Sequence, residues 1–85
     1  MDPTKVAEHF QAELARDDSW NTYYASVSKP EVVSMDVFEK FCKDVRDILS
    51  HSQFNDRIEG VYARLYAGSN TNDEPIRIEL VMSTP

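Results

Sequence analysis

Apolar residues recur at helical spacing in two stretches and alternate at strand spacing in a third, and these patterns set the expected architecture. Val6, Phe10 and Leu14 fall four apart with Ala7 beside them, drawing one apolar stripe along a helix that begins near Pro3. Asp2 suits the N-cap, and Pro3 the first helical position, where a missing N–H costs nothing. The other side of this helix carries Glu8, His9, Gln11, Glu13 and Arg16. The second helical pattern runs through Val37, Phe38, Phe41, Cys42, Val45, Ile48 and Leu49, with Ser34 as its cap and Asp36 at the positive end of its dipole. Its outer face alternates in sign through Glu39, Lys40, Lys43, Asp44, Arg46 and Asp47, as solvated helix faces do.

Between the helices, Trp20 to Val27 is rich in aromatic and β-branched residues without a helical period, which predicts a strand. Trp20, Thr22, Tyr24 and Ser26 then share one face and Asn21, Tyr23, Ala25 and Val27 the other, so both faces carry an aromatic ring. Lys29-Pro30-Glu31 ends the strand, and Val32-Val33 is a short extended candidate. After a polar break at His51 to Asp56, two further strands are expected over Ile58 to Ala67 and Ile76 to Met82, joined as a hairpin through Gly68 to Pro75. In the last strand Ile76, Ile78, Leu80 and Met82 alternate with Arg77, Glu79, Val81 and Ser83, giving one dry face and one wetter face. In the strand before it, Val61, Ala63 and Leu65 form the core side, while Tyr62, Arg64 and Tyr66 share the other.

The expected fold is therefore α+β: a three-stranded antiparallel sheet with two helices on one face, in the order α-β-α-β-β. Residues 1–85 form a single small acidic domain, because a chain of this size buries only about 60 to 65% of its unfolded surface and cannot divide its core. Strand order stays open at this level.

Charge adds a second layer. The formal net charge is -6, from 15 Asp and Glu against 9 Lys and Arg. Residues 1–20 hold five acids and two bases, and residues 68–85 three acids and one base, so these two stretches supply five of the six excess charges. The basic residues are scattered singly, which disfavours direct nucleic-acid binding and attachment to anionic lipid, since both need a basic patch. A single cysteine excludes an internal disulfide framework, the first twenty residues lack the unbroken apolar core of a secretory signal, and no run is long enough to span a bilayer. The expectation is a cytoplasmic protein.

Candidate chemistry is sparse. His9, Glu13 and Asp17 lie four apart on one side of the first helix, but no second ligand cluster appears to complete a metal shell, and the expectation is a hydrated acidic face without metal or cofactor. Glu13 and Asp17 repel at i, i+4, and Asp17-Asp18 sit at the negative end of the helix dipole, so their placement works against local stability and marks a surface of interest. Cys42 lies on the core face and reads as a structural thiol, while His51 at the end of the second helix complements its dipole. Gly60 and Gly68 are isolated, so no phosphate-binding loop is present. Trp20, Tyr23, Tyr24, Tyr62 and Tyr66 offer aromatic surface unless some of them fill the core.

These features favour a non-enzymatic protein-binding module whose acidic surface engages a basic partner. The surface expected to carry it comprises Glu8, Glu13, Asp17, Asp18, Trp20, Tyr23, Tyr62, Tyr66, Asp73 and Glu74, with no catalytic or metal-binding residue assigned. Size, charge and the lack of a chemical motif match toxin immunity proteins and phage-encoded inhibitors of a host nuclease or defence complex, in gross properties only. The alternative is a structural or adaptor subunit that forms a homodimer through the aromatic sheet face. A small enzyme or metal-binding domain is the least favoured class.

Overall fold

The computed structural model describes residues 2–27, 35–64 and 76–83. They form α1 (Pro3–Arg16), β1 (Thr22–Val27), α2 (Met35–Leu49), a short 3-10 turn (Asn55–Arg57), β2 (Ile58–Arg64) and β3 (Ile76–Met82). The order is α-β-α-β-β, an α+β fold, as the apolar pattern predicts. Asp2 caps α1 by accepting from the Thr4 N–H at 2.9 Å, and Pro3 occupies the first turn. Ser34, Val32-Val33, Leu65, Tyr66 and the expected hairpin loop lie outside the described residues.

All strands are antiparallel, and the sheet runs β1-β3-β2, so the strand latest in sequence is the central one. Such a position calls for residues buried on one face without a break, and β3 supplies them. Ile76, Ile78, Leu80 and Met82 are buried while Arg77, Glu79 and Val81 are half-buried on the opposite face. The buried side joins Val6, Ala7, Phe10 and Leu14 of α1 with Phe38, Phe41, Cys42, Val45 and Leu49 of α2 in a single core. α1 packs on β1, α2 on β2, and the helices on each other, so both cover the same face of the sheet.

Three local outcomes differ from the simple periodic reading. Ile58 and Val61 are both buried although they are three residues apart, because a bulge between Ile58 and Gly60 inserts one residue and turns the strand between them. Val37 is 50% exposed: it lies about 80° round the helix from Val45, at the margin of the apolar stripe. β1 begins at Thr22, leaving Trp20 outside the strand and 63% exposed.

Candidate functional site

The end of α1 turns into β1 through a closely bonded corner. Asp17 closes the helix with its N–H on the Glu13 carbonyl at 2.9 Å, and its carboxylate then accepts from the N–H of Ser19 at 3.0 Å and its hydroxyl at 2.6 Å. The Ser19 hydroxyl and then its N–H hold the Asp17 carboxyl below the ordinary carboxylate range, because both bonds favour the charged form. Asp18 pairs instead with Arg57, whose guanidinium reaches its carboxylate at 3.3 Å and its main-chain carbonyl at 3.0 Å. Glu13 pairs with Arg16 at 2.6 Å. The acids that oppose the helix dipole therefore have structural work: one forms the turn and the other fastens it to the start of β2.

Tyr23 corrects the expectation of a surface ring. It is 5% exposed, with its ring in the core, and its hydroxyl donates to the Asp17 carbonyl at 2.5 Å and accepts from the Trp20 N–H at 3.2 Å. The physical reason is parity: α1 and α2 cover the face that Tyr23 and Ala25 share, so Tyr24 and Ser26 face outward. Trp20 does not join the core.

Of the expected surface residues, the structure brings Glu13, Asp17, Trp20 and the margin of the buried Tyr23 together, along an open groove of about 470 Å³ lined also by His9, Arg16, Thr22 and Tyr24. Asp18 adjoins this corner through its bond to Arg57. Glu8 does not take part, lying about 140° round α1 from Glu13 on the outward side. Tyr62 belongs to the open face of the sheet, while Tyr66, Asp73 and Glu74 lie outside the described residues.

That open face has its own order. Tyr24 on β1 and Tyr62 on β2 both stand opposite Glu79 on β3. Arg77 lies 4.8 Å from the centre of the Tyr24 ring, Arg64 lies 5.7 Å from that of Tyr62, and Arg64 also donates to Glu79 at 3.0 Å. The Tyr62 ring folds back over Gly60, where a Cβ would approach its hydroxyl to 2.5 Å. Tyr24 and Tyr62 are 50% and 44% exposed, so this row is a half-wet aromatic surface. Of the rings that the sequence offers as aromatic surface, Tyr24 and Tyr62 stand on this face.

The titratable groups of this corner are already engaged. In the His9, Glu13, Asp17 stripe, His9 Nε2 lies 3.1 Å from the Tyr24 carbonyl, Glu13 is bonded to Arg16, and Asp17 to Ser19. Among the described residues no group of three His, Cys, Asp or Glu is placed to share a metal ion. A carboxyl held low is the reverse of a general acid, which needs its proton near neutral pH. Cys42 is buried, and burial pushes its thiol up, away from the reactive thiolate. Among the described residues no helix is long and apolar enough to cross a membrane.

Comparison with protein-family models, curated proteins and solved structures gives no match to this chain. The class it defines is thus set by its own geometry: a small α+β domain with both helices on one sheet face and the other face partly open.

Proposed function

We propose that this chain is a non-enzymatic protein-binding module that docks a basic partner at the corner between α1 and β1. The observation that supports this reading is Trp20, 63% exposed at the end of a groove lined by Glu13 and Asp17. A tryptophan presents a large rigid apolar surface at small entropic cost, and such side chains anchor protein interfaces. The surrounding carboxylates add selection: the corner holds Glu13, Asp17 and Asp18 against Arg16 and Arg57, within a chain of net charge -6. Acids beside an exposed ring favour a partner that offers lysine or arginine around an apolar socket. Blocking a basic nuclease or a defence complex, as immunity proteins and phage-encoded inhibitors do, is a role of this kind.

The structure dictates how to test it. Charge reversal at Asp17 would break the turn, whereas Asp17→Asn keeps an oxygen to accept from Ser19 and removes only the charge. Trp20→Ala removes the anchor and leaves the core intact. Affinity capture from the native host should recover a basic protein with the parent chain, less of it at raised salt, and about tenfold less with Trp20→Ala at unchanged melting temperature. Equal recovery by parent and Trp20→Ala would remove this corner from the proposal.

A further inference from the structure

The two edges of the sheet are built differently. β2 carries a bulge, an outward Glu59 and Arg64, all devices that discourage pairing with another strand. β1 reads Thr22-Tyr23-Tyr24-Ala25-Ser26-Val27, with no charge, no proline and no bulge against β3. The Met82 N–H donates to the Asn21 carbonyl at 2.7 Å, which fixes the phase of the ladder. Tyr23, Ala25 and Val27 therefore bond to β3, and the main-chain groups of Thr22, Tyr24 and Ser26 point away from it, to the edge that no described strand covers. The bond between His9 and the Tyr24 carbonyl lies on that side, and it uses only one of the oxygen's two lone pairs.

α1 runs antiparallel to this edge. Asp2, Lys5 and His9 lie beside the Tyr24–Val27 half of β1, and His9, Glu13 and Arg16 beside the Thr22–Tyr24 half. These five residues are spaced three, four, four and three apart, so they form one stripe, with His9 level with Tyr24. The stripe is self-complementary about its centre. A two-fold axis through the level of Tyr24 sets Asp2 against Arg16 of a second copy and Lys5 against Glu13 of that copy, while Thr22 meets Ser26 and Tyr24 meets Tyr24.

We infer that β1 is a dimerisation edge, joining two copies of this chain into a continuous six-stranded antiparallel sheet with α1 of each copy alongside the other. An axis normal to the sheet keeps all helices on one face. The inference goes beyond the binding role proposed above: Glu13 and Arg16 belong to both surfaces, whereas Lys5 and the β1 edge belong to the seam alone and Trp20, Asp17 and Asp18 to the corner alone.

Sedimentation equilibrium from one to several hundred micromolar tests it, with three variants checked by circular dichroism. The parent chain should be a dimer in the upper part of that range. Lys5→Glu places like charges together at two symmetric points and should weaken association at least about tenfold, and Lys5→Glu/Glu13→Lys should recover it. Tyr24→Pro removes an outward N–H that β3 does not use and should abolish the dimer. A parent chain monomeric throughout would overturn the inference, as would a dimer indifferent to Lys5→Glu. Capture by the Trp20 corner is read separately, through Trp20→Ala, which changes no residue of the seam.

Discussion

Arg57 reaches back to Asp18 across 39 residues of sequence, meeting its carboxylate at 3.3 Å and its main-chain carbonyl at 3.0 Å. Its own carbonyl accepts from both the N–H and the hydroxyl of Ser83, so one residue ties the α1–β1 corner and the start of β2 to the end of β3. Because part of this link ends on a backbone oxygen, it does not depend wholly on charge. Arg57→Ala should destabilise the chain by about 1 to 2 kcal/mol, and Asp18→Asn, which keeps the carbonyl bond, by less than about 1 kcal/mol. Urea unfolding midpoints of the two variants measure the difference; equal losses would show that the carboxylate carries the link.

Asp17 predicts a pH effect with a definite sign. Its carboxyl is held low in the folded chain by Ser19, so its turn contributes stability above the unfolded carboxylate value of about 3.9. That contribution disappears as pH falls through the lower, folded value. In Ser19→Ala the Asp17 resonance should titrate nearer the ordinary range, and the stability curve should lose part of its fall in acid. An unshifted Asp17 titration in that variant would remove the Ser19 hydroxyl as the cause.

The tyrosines separate by position. Tyr23→Phe removes the hydroxyl that joins the Asp17 carbonyl to the Trp20 N–H, and should cost about 1 to 2 kcal/mol. Tyr24→Phe and Tyr62→Phe alter exposed rings and should stay within about 0.5 kcal/mol. A thermal melt of each variant decides whether the assignment of inside and outside is right.

Cys42 should report on unfolding. Buried at 7% exposure, with its thiol raised by desolvation, it should react with an aromatic disulfide reagent far more slowly in the native chain than in urea. The onset of labelling should follow the unfolding curve, whereas rapid reaction under native conditions would contradict its packing between α2 and the sheet.

Much of the fold is legible in local pattern, because burial imposes it residue by residue. Ile76, Ile78, Leu80 and Met82 alternate in sequence as they do in the sheet, and Asp2-Pro3 announces the start of α1. What the pattern lacks is anything decided by a distant partner. The bulge after Ile58 exists only in register with Met82 and Val81, and Asp18 acquires its role from Arg57. Likewise Tyr23 and Tyr24 are equivalent until the helices select a face. The acidic corner was visible as local charge repulsion near Trp20, but the bonds that occupy its carboxylates come from Ser19, Arg16 and Arg57.

The central place of β3 has a consequence for the order of assembly. Among the described residues β1 pairs only with β3, Thr22 lying opposite Val81, and β2 also has β3 as its neighbour. During synthesis the uncharged strand β1 therefore waits, with α1 and α2 already made, until Met82 has left the ribosome. Its long closure makes sheet formation a late and slow step, and the interval before it is when β1 is most exposed to pairing with the wrong strand.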